Sequence, residues 1–340
     1  MTENLIHSTH TNRLRFGVVG TNFITDWVIA GGRQDERFEL SAVYSRSQET
    51  ADAFAAKHGI PHTFTSLEEM AASPLVDAVY VASPNALHAA QSILCMERGK
   101  HVLCEKAFAS HAREAGAMIA AARKNKVALM EAMKPTLTPN FLAARDALDK
   151  IGAARRYFSC YCQYSSRYDK FREGVVLNAF RPDLSNGALP DIGVYTIYPM
   201  VVLFGRPQTI KAAGYKLSSG VDGEGSIVFS YPTMDAAVLY SKIANSQLHT
   251  EIQGEDGNIV LDRINIISEV NLLLRDGRKE SLTRPTERNE YYYEIKEFID
   301  IVQTGRQEST INSWENSLVT MEIMDEIRRQ MGVAYPADEV

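Results

Sequence analysis

Four cysteines in 340 residues, none in a C-x-x-C spacing, give no disulfide framework and no zinc ribbon. Cys160 and Cys162 lie two apart in a strand-like stretch and so share a face. With no histidine or second cysteine pair nearby in sequence they read as reduced thiols, and no metal site is expected. Charge of one sign never accumulates: the net charge of −6 is spread without long runs, which argues against nucleic acid as the main partner. No apolar run approaches the ~18 residues that a bilayer span needs, so no membrane segment is expected. Met1 to Asn12 is polar and lacks the apolar centre of an export signal, and reads as the frayed start of a cytoplasmic chain. Repeats and low-complexity segments are missing too. What is there is an ordinary globular balance, 45% hydrophobic and 23% charged, in a chain suited to two domains.

Up to Met130 short apolar strands alternate with helices. Strands are expected at Leu14 to Val19, Phe38 to Tyr44, Asp77 to Ala82, His101 to Cys104 and Val127 to Met130, with helices that include Gln48 to Lys57 and His111 to Lys124. That alternation implies βαβ units and a doubly wound parallel sheet covered on both faces. After Pro135 the pattern changes. A helix from Thr138 to Lys150 leads to a long β-type segment, Arg155 to Tyr164, and a helix from Asp191 to Phe204 follows. Strands then succeed one another without helices: Thr209 to Leu217, Gly225 to Ser230, Ala236 to Ile243, Thr250 to Gly254, and a hairpin-like stretch from Asn258 to Arg275. An α+β domain with a mostly antiparallel, open-faced sheet is expected, closed by helices Tyr291 to Thr304 and Trp314 to Gln330. The boundary falls between residues 1–132 and 133–340.

The first βα turn offers one glycine where a dinucleotide fingerprint has three. Gly20 is in place, Asn22 and Thr25 stand at the other two positions, and Asn22 is expected to adopt the left-handed conformation that glycine would. The turn nonetheless opens the first helix, where backbone N–H groups meet anions. At the end of the second strand NAD binders place an acid for the ribose 2′-hydroxyl; here the chain reads Ser45-Arg46. A hydroxyl followed by a guanidinium suits a 2′-phosphate, which favours NADP, with NAD as the lesser choice. The alternative is a solvated arginine beside a serine N-cap, Ser45 or Ser47.

Four further segments carry a family resemblance: Ala82-Ser-Pro-Asn85-Ala-Leu-His88, Gly99 through Glu105-Lys106, Met130-Glu131-Ala-Met133, and Gly187-Ala-Leu-Pro-Asp191-Ile-Gly193-Val-Tyr195. With the first strand they make the chain resemble the Gfo/Idh/MocA (glucose–fructose oxidoreductase/inositol dehydrogenase-like) oxidoreductases from about Arg13 to Pro336. Tyr195 and the Met-Glu-Ala-Met segment are most similar to the dihydrodiol dehydrogenase and NADP-linked xylose dehydrogenase branch; many other members carry histidine at that place. The resemblance implies a Rossmann domain with the dinucleotide over its strand ends and a sheet domain behind the substrate. It implies cofactor contacts from Gly20, Thr21, Asn22, Phe23, Ile24, Ser45, Arg46, Ser83, Pro84, Asn85, His88, Glu105 and Lys106. Lys106, Asp191 and Tyr195 take the places of the family's lysine, helix aspartate and proton-transfer residue. Ala107 departs from the family's proline, so φ there is not fixed by a ring.

Alcohol oxidation removes a hydride, which the cofactor takes, and a proton, which the protein must accept. Asp191 and Tyr195, four apart, share a face if helical. A free tyrosine is a poor base, and a nearby ammonium, Lys106, is expected to favour its phenolate, with Asp191 orienting that lysine. The alternative is a capping aspartate and a core tyrosine. His88 is open between a nicotinamide or substrate contact and a histidine bonded to backbone. Asn178 and Arg181 are candidates for a small polar substrate such as a sugar, cyclic polyol or diol. Tyr161, Tyr164, Tyr168 and the Tyr291–Tyr293 cluster read first as packing residues. Two other functions stay open: a cofactor-sensing protein that has lost the chemistry, and a glycosidase using bound NAD for transient oxidation. Apolar residues at both parities of the strands from Thr209 to Ile243 point to a homodimer through the open face, or a dimer of dimers.

Overall fold

The computed structural model describes residues Arg13–Glu339; the expectation for Met1 to Asn12 lies outside the described residues. The first half runs β1 (Leu14–Val19), α1 (Phe23–Gly32), β2 (Phe38–Tyr44), α2 (Gln48–His58), β3 (His62–Phe64), α3 (Leu67–Ala72), β4 (Ala78–Val81), α4 (Asn85–Glu97), β5 (His101–Glu105), α5 (Ala112–Asn125) and β6 (Leu129–Ala132). The second half contains α6 (Pro139–Asp146), β7 (Ala154–Cys162), α7 (Tyr168–Arg172), α8 (Val194–Phe204), β8 (Thr209–Lys216), β9 (Asp222–Ser230) and β10 (Asp235–Ser241). It closes with β11 (Thr250–Gly254), β12 (Gly257–Leu261), β13 (Val270–Leu274), β14 (Lys279–Ser281), α9 (Glu290–Gln303) and α10 (Trp314–Met331).

The first six strands form one parallel sheet in the order β3-β2-β1-β4-β5-β6. This is the Rossmann order, whose switch point lies between β1 and β4, where ligands bind at the strand carboxyl ends. Every residue of β4 and β6 is buried, as parallel strands covered on both faces require. Although it follows the second sheet in sequence, α9 returns to this one. Tyr291, Ile295, Phe298 and Ile299 join β1, β2 and β4 side chains in one core. Gly31 permits the approach: a Cβ there would lie 2.7 Å from Tyr291 Cβ.

The second sheet has eight strands, β14-β13-β12-β11-β7-β10-β9-β8, antiparallel except where β7 and β10 pair. Helices α8 and α10 pack on one face. Register sorts the residues that seemed apolar at both parities. Ile210, Phe229, Val238 and Tyr240 point to the helices, while Tyr215, Val228 and Leu239 line the open face, Tyr215 and Val228 each more than half exposed. Cys160 and Cys162 share that open face, their Sγ atoms 3.6 Å apart and unbridged. The segment Pro182–Phe204 is long and apolar enough to cross a membrane by length and composition, but 72% of its apolar window is buried inside the protein, as for a core helix.

Candidate active site

The βα turn after β1 is built around Gly20. Its φ is +108°, and a Cβ would lie 2.5 Å from the Ala82 carbonyl oxygen, so only glycine fits between β1 and β4. Asn22 does not take the left-handed conformation expected of it. It has φ −91° and caps α1, Oδ1 accepting from Ile24 N–H (3.0 Å) while Nδ2 donates to Ala82 O (3.3 Å). Thr25, at the third fingerprint position, is fully buried and donates to Gly20 O at 3.0 Å. The lost glycines are thus replaced by two hydrogen-bonding side chains that fix the same turn. At the neighbouring carboxyl end of β2, Ser47 rather than Ser45 caps α2. Arg46 is exposed and has no partner among the described residues.

From this turn a cavity of about 1450 Å³ runs between the two sheets. Asn22, Phe23 and Ile24 line one end, then Ser83, Pro84, Asn85 and Glu105, and beyond them Lys106, Asp191, Tyr195 and Lys242. Ser83 Oγ is buried with no partner among the described residues, an unsatisfied polar atom at the cavity wall. Asn85 reaches the other half of the chain, donating to Ser185 O and Asn186 Oδ1, each at 3.0 Å. His88 resolves as the backbone-bonded alternative. It is fully buried, 2.9 Å from Ala107 O and 2.8 Å from Ser83 O, and burial lowers its pKa. It braces two cavity loops without lining the cavity itself.

The aim of Lys106 is set by Asp191 and not by a proline. Its Nζ donates to Asp191 Oδ1 (3.0 Å) and Asp191 O (2.6 Å); the peptide to Ala107 is cis. The other carboxylate oxygen, Oδ2, accepts from Lys242 Nζ. Burial alone would raise Asp191, but the two ammoniums overrule it and hold the carboxyl far below its usual range. Burial likewise works against the Lys106 ammonium, and Asp191 followed by Glu105 outweighs it, so the Lys106 pKa is raised.

Tyr195 differs from expectation in one respect. The Lys106 ammonium sits over its ring, 5.0 Å from the centroid. Burial first, then Glu105, Tyr161, Asp191 and Glu294, push the phenol well above its ordinary value. Burial and this acidic surround therefore leave the resting group a neutral phenol rather than a phenolate. Its hydroxyl has no hydrogen-bond partner among the described residues. One turn of π-helix, Leu189–Gly193, opens α8 and carries Asp191 to the wall, while Tyr195 follows in the first α-turn.

Lys242 was missed. Its side chain is 4% exposed, and it stacks over Phe180 as well as pairing with Asp191. A signal was present: Ala236, Val238 and Tyr240 alternate inward along β10, and a lysine is next at the same parity. Tyr161 also belongs to the site, edge-on to Tyr195 with ring centroids 5.7 Å apart, and Tyr164, Tyr291 and Tyr293 line the cavity, whereas Tyr168 packs against Phe171 and Phe180. Asn178 lines the cavity; Arg181 lies off it, paired with Asp183. Gly20, Thr21, Ser45 and Arg46 sit outside the enclosed part, at the turn after β1 and the end of β2.

Comparison with known proteins agrees with this geometry. Residues 14–133 match the family model described as "Oxidoreductase family, NAD-binding Rossmann fold", and residues 141–260 match the GFO/IDH/MocA C-terminal domain. The chain is 54% identical over 326 residues to scyllo-inositol 2-dehydrogenase (NADP(+)) IolU of Bacillus subtilis, covering 96% of this chain and 99% of that one. It is 30% identical over 313 residues to trans-1,2-dihydrobenzene-1,2-diol dehydrogenase of Xenopus tropicalis, covering 88% and 91%. In fold it resembles the aldose–aldose oxidoreductase of Caulobacter crescentus complexed with glycerol, with TM-score 0.83 and 21% identity over 94% of this chain and 97% of that one.

Proposed function

The chain belongs to the Gfo/Idh/MocA oxidoreductase family as an NAD(P)-dependent oxidoreductase of CH–OH groups, and from that premise we propose that it interconverts a cyclic polyol of the inositol type and its ketone with NADP(H). The observation that carries the reading is the Lys106–Asp191 pair beside a free Tyr195 hydroxyl, in a cavity that begins at the Rossmann strand ends. The residues fit a dinucleotide: a Cβ-free turn at Gly20, the unsatisfied Ser83 hydroxyl, and an unpaired Arg46 where an acid would repel a 2′-phosphate. Bound there, the nicotinamide supplies or accepts the hydride.

The protein's part is the proton. In reduction the Tyr195 hydroxyl donates its proton to the substrate carbonyl oxygen as the hydride reaches carbon. In oxidation the same oxygen takes the alcohol's proton and must first be a phenolate. Lys106 favours that form, while burial, Glu105 and Asp191 oppose it. Oxidation therefore speeds up with rising pH, and reduction is the easier direction near neutrality. Asn178 and Tyr161 supply polar groups to substrate hydroxyls. The open sheet face, with Tyr215, Val228 and Leu239, pairs two copies into a homodimer. The test is a panel of inositols, aldoses and diols with NADP⁺ and NAD⁺, read as formation of reduced nicotinamide. Turnover greatest with an inositol and NADP⁺ is expected; no turnover with any polyol would refute the reading.

A further inference from the structure

Asp191 is held by ammoniums from both halves of the chain. Lys106 follows β5 of the Rossmann sheet and donates to Oδ1; Lys242 follows β10 of the second sheet and donates to Oδ2. A lysine with 4% of its side chain exposed is costly to bury, and one carboxylate is enough to neutralise one ammonium. Lys106 alone would satisfy Asp191, so the second lysine leaves the trio with a net charge of about +1. The Phe180 ring beneath Lys242 offers its negative face but no formal charge.

We propose that Lys242 is a positioning residue of the proton-transfer centre, which divides the charge of Asp191 so that Lys106 keeps an uncompensated share of its own positive charge toward Tyr195. The proposal rests on the roles given above to Lys106, Asp191 and Tyr195. The surroundings make such a share consequential. Tyr195 is faced by Glu105 from β5, by Asp191, by Tyr161 from β7, and by Glu294 and Tyr291 from α9. Three ammoniums are set against that acidic ring: Lys134, paired with Glu290 and lying over Tyr291, acts on Glu105 and Glu294, while Lys106 and Lys242 share Asp191. Without Lys242, Asp191 acts undivided on Lys106. The Lys106 ammonium then holds its proton harder, and the Tyr195 oxygen loses positive charge that would stabilise it as an anion. Both effects have one sign.

The experiment compares wild type with Lys242→Met and Lys242→Arg, with Lys242→Gln in reserve if the methionine variant does not fold, as judged by thermal midpoint. Acetic anhydride labelling of Lys106 at pH 9, quantified by peptide mass spectrometry against the exposed Lys124, needs neither substrate nor turnover. A pKa rise of about one unit makes labelling of Lys106 about tenfold slower in Lys242→Met, and Lys242→Arg returns it to within about twofold of wild type. In polyol oxidation the acid limb of the kcat/KM profile moves up by about one pH unit, while KM for the polyol changes less than kcat. A lysine that only ties the two halves together would loosen Lys106 when removed. Labelling that is unchanged or faster, or that arginine does not restore, overturns the proposal. A wild type without turnover on any polyol refutes the proposed function instead, and the labelling result still decides the role of Lys242.

Discussion

Glu131 in β6 is 1% exposed, and both its carboxyl oxygens lack a hydrogen-bond partner among the described residues. Burial pushes its pKa up to about 8 from the ordinary 4.5. Near neutrality the folded protein therefore keeps this acid protonated, while the unfolded chain ionises it. A carboxyl whose folded pKa is raised stabilises the fold fully below pH 4.5, loses that contribution as pH rises toward 8, and is constant beyond. The slope is about 1.4 kcal/mol per pH unit and flattens near the folded pKa, so wild type loses about 2.5 kcal/mol between pH 6 and pH 8.5 on account of this group alone. Glu131→Gln keeps the shape and cannot ionise. Its own unsatisfied amide makes the absolute stability a poor measure, but the pH dependence is clean, because every other titrating group is shared. With about 2.1 cal/mol/K per residue of unfolding entropy, that loss corresponds to a thermal midpoint falling about 3–4 °C further in wild type than in the variant. Calorimetry of both proteins at pH 6 and 8.5, at one scan rate, reads it. A wild-type-to-variant difference that is the same at both pH values would refute the burial argument.

Arg46→Ala is expected to remove about 1–3 kcal/mol of preference for NADP⁺ over NAD⁺, measured as the ratio of kcat/KM values, with NAD⁺ kinetics little changed. Gly20→Ala forces a side chain against the Ala82 carbonyl at positive φ, so both dinucleotides should bind at least tenfold more weakly in fluorescence titration and the thermal midpoint should fall. Val228→Glu, a charge on the open sheet face, should convert a dimer seen by light scattering into a monomer; a wild type that is already monomeric at micromolar concentration contradicts the proposed pairing.

The Rossmann half was legible because its signals are local. Five strands, the first helix and the helices α2 and α5 follow from apolar runs and periodicity, while the three-residue edge strand β3 and the helices α3 and α4 were not placed. The second sheet was legible as a succession of strands, but not its faces, which register alone assigns. The return of α9 to the first core could not be read, since no local pattern says which sheet a helix will cover. Within the site, the motif residues Lys106, Asp191 and Tyr195 were named, but not how they meet. Lys106 was expected to favour the Tyr195 phenolate; the structure places its ammonium on the ring face, paired with Asp191, and burial raises the phenol. Asn22 shows the same limit: its residue type suits both a left-handed turn and a helix cap, and the backbone chose the cap. Lys242 and Tyr161 lay at inward positions of alternating strands, where a polar side chain is itself a signal.

The central claim is that Tyr195 carries the proton, and Tyr195→Phe tests it with the least disturbance, because the ring stays and only an unpartnered hydroxyl goes. No hydrogen bond is lost with that hydroxyl, so the thermal midpoint and NADPH affinity should stay near wild type. Turnover of the best polyol should fall by roughly 10²–10⁴ in kcat in both directions. A Tyr195→Phe protein that binds NADPH and turns over at close to the wild-type rate would contradict the account.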